Sequence, residues 1–247
     1  MKAVYFTEHG GPEVLQYGEL PEPVANSNEV KIKVRACALN RLDVYTRAGV
    51  RGTKMALNEP HVLGADVSGD IVEVGSNVTK VSVGDRVVVN PRITCMQCSY
   101  CQSNQSEYCE KAGMVGSATR GGYAEFAVVP ASSVFPIPSS LSYVQAASLP
   151  TVFMPSWNIL IRRSNLKPWE IALVPSASSG VGTAAIQVAK NVAKSTVVTT
   201  TSTPEKANKA SALGADHVIN YKSENVSEKL KDITAGKGVD VVIDHVG

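Results

Sequence analysis

The sequence has no long hydrophobic run. No apolar stretch approaches the roughly 20 residues that a helix needs to cross a bilayer, so a membrane-spanning protein is not expected. Met1 leads straight into the strand-like KAVYF, with no basic, apolar, small-residue leader. That places the protein in the cytoplasm as an expectation. There is little charge of one sign: the formal net charge is +2 over 247 residues, and Lys and Arg are scattered rather than gathered in a stripe. Such a surface points to neither nucleic acid nor an anionic membrane as partner, and leaves a small neutral or anionic molecule. Internal repeats and low-complexity tracts are also absent. What remains is globular: 44% of the residues are apolar, enough to fill a sizeable core.

Two textures divide the chain. Residues 1–130 carry short β-branched runs broken by Gly and Pro, such as VKIKVRAC, SGDIVEVG and GDRVVV, which predict a rolled antiparallel or barrel-like β domain. In residues 131–247 strand and helix alternate: SYVQAASL, EIALV, GTAAIQVAKNVA, TVVTT, PEKANKASALG, HVINY, SEKLKDITAG and VDVVIDHV. Alternation of this kind builds a parallel α/β sheet. Four strands are visible in it, where a full dinucleotide-binding sheet commonly has about six.

Cys95, Cys98, Cys101 and Cys109 are spaced C-x2-C-x2-C-x7-C in a lobe of about residues 91–112 that has almost no large apolar side chains. In a reducing compartment such thiols are metal ligands rather than disulfides. Four thiolates can hold one tetrahedral zinc ion, and a closed set of four leaves no position for substrate, so the expected ion is structural. An iron–sulfur cluster or unrelated cysteines are the alternatives. The fifth cysteine, Cys37, reads as a buried apolar residue of its strand.

After EIALV comes PSASSGVGTAAIQVAK, where Gly180, Val181 and Gly182 open a helix. Backbone N–H groups at such a start can hold a pyrophosphate. The glycine pattern is incomplete, with Ser176 and Ser179 where glycines often stand, and a tight turn without a ligand is the competing reading. At the end of the next strand, where NAD-preferring proteins place a carboxylate for the ribose 2′-hydroxyl, the chain has Thr201, Ser202 and Thr203, followed by Lys206. With no carboxylate to repel a 2′-phosphate and a lysine to attract one, NADPH is expected over NADH, although Lys206 also suits an ordinary solvated helix position.

EHGGPEVL, ALNRLDVYTRAG, PHVLGADVSGDIVEVG, VGDRVVV, the cysteine lobe, GGYAEFAVVP, the glycine turn and GADHVINY follow one another in an order that resembles the medium-chain dehydrogenase/reductase superfamily across the chain. The resemblance implies a GroES-like β domain with a zinc lobe, followed by a C-terminally incomplete Rossmann domain. It is closest to the quinone oxidoreductase branch, although the cysteine lobe is more typical of zinc alcohol dehydrogenases. The latter carry a catalytic zinc at positions that match Asn40, Ala65 with Asp66 beside it, and about Thr151. An amide and an apolar residue there argue against a second metal, with Asp66 alone as a residual ligand.

Asn40, Asp43, Tyr45 and Arg47 follow the N-x-x-D-x-Y-x-R-x-G pattern of quinone oxidoreductases. This implies that Asn40 contacts the nicotinamide amide and Tyr45 lines the substrate cleft. Lys206 and Tyr221 match residues that contact the NADPH 2′-phosphate. The expected activity is hydride transfer to a quinone or conjugated carbonyl, with a zinc alcohol dehydrogenase or a non-catalytic NADPH-binding protein as alternatives. His61 and His245 are expected to be structural, and Asp85 to fix a turn. The resemblance further implies a homo-oligomer in a full-length form, and an unpaired sheet edge beside VDVVIDHV.

Overall fold

The structure, a computed structural model, describes residues 1–244; His245 lies outside them. The chain forms two compact units, Met1–Thr151 and Val152–Gly247. This divide falls later than the change of texture at residue 130, and the contacts of the intervening segment explain why. Val134–Pro136 pairs with Arg86–Val89, Ser68 donates its hydroxyl proton to the Tyr143 carbonyl at 2.7 Å, and the Arg86 guanidinium lies 4.7 Å above the Tyr143 ring. The segment therefore completes the first unit.

In chain order the first unit contains β1 (Lys2–Phe6), β2 (Gln16–Glu19), β3 (Glu29–Ala38), α1 (Arg41–Ala48), β4 (His61–Val62), β5 (Asp66–Val74), β6 (Arg86–Val89) and β7 (Arg92–Ile93). There follow α2 (Ser99–Gln102), β8 (Gly113–Met114), β9 (Phe126–Pro130), β10 (Val134–Pro136), α3 (Tyr143–Ala147) and the start of α4 (Pro150–Trp157). An antiparallel five-stranded sheet, ordered β10-β6-β5-β3-β9, is its centre. Alternation along the strands sends Val30, Ile32, Val67, Ile71, Val87, Val89, Ala127 and Val129 into one core. A smaller sheet, β2-β1-β4, packs Ala3, Leu20 and Val62. His61 lies within β4 itself, opposite Phe6, and its Nε2 meets the Gly116 carbonyl at 3.2 Å. Asp85 accepts the Ser82 N–H at 2.8 Å and closes the turn before β6.

The second unit continues with β11 (Ile171–Val174), α5 (Gly180–Val188), β12 (Thr196–Thr201), α6 (Pro204–Ala212), β13 (His217–Asn220), α7 (Val226–Ile233) and β14 (Val241–Val242). All the pairings are parallel and the order is β13-β12-β11-β14. Ala172, Val174 and Val197 are fully buried and pack with Ala185 and Ile186 of α5, which is why β11 reads as a continuous apolar run. The order reverses between β11 and β14. Among open α/β sheets, ligands sit beyond the strand C-termini at such a switch point, and here α5 begins just there. Among the described residues β14 stands at one end of the strand order. No helix among the described residues is long and apolar enough to cross a membrane.

Candidate functional site

The cysteine lobe springs from the short β7–β8 ladder, in which Arg92 faces Met114 and Ile93 faces Gly113. Cys95 follows β7 and Cys109 precedes β8, so the ladder closes the loop on which all four thiols sit. Their sulfur atoms lie within 4.8 Å of one another, with Cys95 Sγ 3.5 Å from Cys109 Sγ and 4.0 Å from Cys101 Sγ. A tetrahedron of thiolates about 2.3 Å from a central ion has edges of about 3.8 Å, so the set fits zinc. The lobe's large side chains point outward: Met96, Tyr100 and Tyr108 are all exposed. Its interior is sulfur rather than hydrocarbon. Backbone N–H groups of Gln97 and Cys98 pull the Cys95 thiol down to about 6, whereas burial and the neighbouring thiols push Cys101 up to about 12. A divalent cation at the centre favours the thiolate form of all four.

A second polar cluster forms where β3, α1 and β5 meet. Asn40 caps α1, and its backbone N–H donates to Asp43 Oδ2 at 2.7 Å. Asp43, 6% exposed, also accepts from the Tyr123 hydroxyl at 2.9 Å and the Gly64 N–H at 3.1 Å. Gly64 has φ +103°, and a Cβ there would meet the Tyr123 ring at 2.6 Å, so only glycine fits. Asp66, 1% exposed, accepts from Asn40 Nδ2 at 3.0 Å, from Thr151 Oγ1 at 2.8 Å and from the Thr151 N–H at 3.2 Å. Burial pushes the Asp66 carboxyl above the usual range, and its bonds to Asn40 and Thr151 only partly offset that. Burial likewise raises the Tyr123 phenol and the Cys37 thiol; Cys37 is only partly buried, packed against the first unit's core rather than within it.

The structure thus brings together Asn40, Asp66 and Thr151; Ala65, the position that the sequence resemblance matches to a metal-ligating histidine, is buried beside Asp66 and offers no donor side chain. Each of the three polar residues is occupied with its neighbours. Tyr45 stands elsewhere on α1, its ring 5.0 Å beneath the Arg51 guanidinium. Asp43 and Tyr123, which hold the cluster from behind, were not singled out as site residues by the sequence; Asp43 occurs in the motif, but nothing in sequence marks Tyr123, 80 residues away.

In the second unit Ser179 caps α5 and accepts the Gly182 N–H at 2.9 Å. By helix geometry the N–H groups of Gly180 and Val181 have no intrahelical partner and remain available to an anion. A Cβ at Gly182 would sit 2.2 Å from the Ser176 carbonyl oxygen, which fixes glycine at that position. Beyond β12, Lys206 is exposed, with Nζ 3.5 Å from Ser202 Oγ, and Tyr221 is exposed just after β13. Glu205, the nearest acid in sequence, is paired with Lys209 at 2.7 Å. Thr201 differs from its neighbours: it is 3% exposed and its hydroxyl has no hydrogen-bond partner among the described residues. Ser202 and Thr203, just beyond the strand, are half-buried.

An antiparallel β unit bearing a closed thiolate site, followed by a parallel sheet with a helix opening at its switch point, defines the class of zinc-carrying, dinucleotide-dependent dehydrogenases. The family described as "Alcohol dehydrogenase GroES-like domain" matches residues 26–139, and that described as "Zinc-binding dehydrogenase" matches residues 180–247. A protein of Sulfurisphaera tokodaii named NAD-dependent alcohol dehydrogenase is 33% identical over 99% of this chain and 71% of its own length. A solved structure titled as a NAD-dependent alcohol dehydrogenase is 39% identical with a TM-score of 0.95, over 100% of this chain and 71% of that one. The Escherichia coli quinone oxidoreductase, solved in complex with NADPH, is 31% identical with a TM-score of 0.79, over 100% of this chain and 67% of that one. The chain belongs to the medium-chain dehydrogenase/reductase superfamily, a family of oxidoreductases.

Proposed function

We propose that the protein transfers hydride from NADPH to a quinone or to a carbon conjugated with a carbonyl, with a structural zinc in the cysteine lobe and no metal at Asn40, Asp66 and Thr151. The donor set at those three residues carries this reading. Catalytic zinc takes three protein ligands from Cys, His and carboxylate groups. Here one carboxylate is present, and its oxygens already accept from an amide, a hydroxyl and a backbone N–H. Among the described residues only the four cysteines form a group able to hold a metal.

The nicotinamide, when bound, supplies the hydride. The protein's residues supply grip and charge stabilisation. Gly180 and Val181 offer N–H groups to the pyrophosphate. Lys206 attracts the 2′-phosphate, with Tyr221 after the neighbouring strand, its N–H donating to the Thr201 carbonyl at 3.0 Å, and the absence of a carboxylate at Thr201, Ser202 and Thr203 spares that phosphate repulsion. Asp66 fixes the Asn40 amide for its contact with the nicotinamide. Tyr45 donates a hydrogen bond to the acceptor oxygen as charge develops on it.

Fluorescence titration with both cofactors, followed by quinone turnover, tests the proposal. NADPH is expected to bind more tightly than NADH. Lys206→Ala should weaken NADPH by about tenfold, equivalent to ~1.4 kcal/mol, and leave NADH unchanged, while Tyr45→Phe slows turnover of a small quinone. Tighter binding of NADH, or wild-type turnover by Tyr45→Phe, contradicts it. The 39% identity and TM-score of 0.95 to a structure titled NAD-dependent alcohol dehydrogenase favour a second reading, alcohol oxidation with NAD. That reading requires NADH preference and a second bound zinc.

A further inference from the structure

A pocket of about 330 Å³ opens in the first unit beside the turn that follows α1. That turn, Gly52 to Met55, forms one wall; Arg92 of β7 and the segment from Ala112 to Ala118 form the other. Its volume falls in the lower part of the range typical of small-ligand sites. The lining contains two cations, Lys54 and Arg92, and no carboxylate. Neither cation enters an ion pair among the described residues.

Arg92 is only partly occupied with the protein. One guanidinium nitrogen, Nη2, donates to the Glu107 carbonyl at 2.8 Å, whereas Nε is buried and has no hydrogen-bond partner among the described residues. A buried charged donor without an acceptor is costly, and an anion that accepts from it removes that cost. Guanidinium groups match the planar, two-oxygen edge of a carboxylate or phosphate, and a nearby ammonium adds charge without demanding geometry. Small residues keep the opposite wall low: Gly113, Ser117 and Ala118 leave room for a group of a few heavy atoms.

We propose that this pocket binds an oxyanion, carboxylate or phosphate, between Arg92 and Lys54. The wall is tied to α1, because the Thr53 hydroxyl lies 2.7 Å from the carbonyls of both Tyr45 and Val50, either of which accepts its single proton. A ligand here is thus connected to the helix that carries Tyr45. The oxyanion is either a free small anion or an acidic group on the acceptor; only the second assignment rests on the hydride-transfer reading.

The test uses the full chain with its zinc, at constant ionic strength set with sodium chloride. Inorganic phosphate is titrated while backbone amide shifts are followed by ¹H–¹⁵N NMR. Saturable shifts at Lys54, Gly113 and Ser117 are expected, with affinity weakened by about fivefold or more in Lys54→Met. Arg92→Met should lose the response, and Arg92→Lys, which keeps the charge, should recover part of it. Lys54 is exposed, so its variant keeps the test valid even if Arg92→Met fails to fold. No saturable shifts at these amides, or an unchanged affinity in Lys54→Met, overturns the proposal. A kinetic arm then compares an enone carrying a carboxylate with its methyl ester. A preference for the acid that falls in Lys54→Met assigns the pocket to the acceptor; phosphate binding with no such preference upholds the pocket and assigns it to a free anion. Absence of turnover alongside intact phosphate binding counts against the hydride-transfer reading alone.

Discussion

Two clusters in the first unit gather polar side chains at close range, and they do so by opposite chemistry. At Cys95, Cys98, Cys101 and Cys109 the groups are soft, alike and mutually ill-satisfied. Sulfur–sulfur contacts of 3.5 and 4.0 Å are weak partners, and the lobe has exposed its large side chains. On the proposed reading a cation holds such a lobe together. At Asn40, Asp66 and Thr151 the groups are hard, unlike and complementary: amide, N–H and hydroxyl donate, and one carboxylate accepts. That cluster is complete without an ion. Proximity alone therefore does not make a metal site; what matters is whether neighbouring donors satisfy one another.

Removing a member of each cluster should break the comparison in different ways. Cys95→Ser is expected to have the largest effect. Bound zinc falls from one per chain to none, stability drops by roughly 5 kcal/mol or more, about half of what structural zinc contributes in small zinc peptides, and trypsin gains access at Lys111 within the lobe. Mass spectrometry of the metal and limited proteolysis report both changes. Asp66→Ala comes next. It strands the Asn40 amide and the Thr151 N–H and hydroxyl, costing about 2–4 kcal/mol in denaturant unfolding, and should leave the zinc count at one.

The smallest effect is one of pH. Because burial raises the Asp66 carboxyl above its ordinary value, the folded protein binds that proton more tightly than the unfolded chain. The group's contribution to stability is then greatest below the unfolded value and declines as pH rises through the folded one, after which it is constant. Asp216 and Asp70, whose folded values are lowered, slope the other way. Subtracting the stability curve of Asp66→Asn from that of the wild type isolates the Asp66 part, which should fall with rising pH on the acid side of neutrality. A flat or rising difference contradicts the burial argument.

How much of this was legible in the sequence follows from how local each signal is. The cysteine lobe is read directly, since its ligands lie within fifteen residues and their spacing states the geometry. The parallel sheet is legible in the apolar run of β11 and the β-branched run of β12, and the glycine turn in Gly180 and Gly182. The Asp66 cluster is not legible as a unit, because Thr151 is 85 residues and Asn40 26 residues from Asp66. Only folding shows that the three positions converge and that Asp43 and Tyr123 brace them. Thr201 illustrates the same limit within a strand. Sequence places it at the end of β12, but the burial of its side chain depends on the neighbouring strands. The divide after Thr151 was also hidden, since nothing in VFPIP announces that it pairs with β6.

The central claim is that metal belongs to the cysteine lobe alone. Its most direct test is the zinc content of the wild-type chain, measured by mass spectrometry after saturation with zinc and removal of the excess, beside Cys95→Ser and Asp66→Ala. The account predicts one zinc in the wild type, none in Cys95→Ser and one in Asp66→Ala. Two zincs in the wild type, with one lost in Asp66→Ala, would contradict it and place a metal where hydrogen bonds are described.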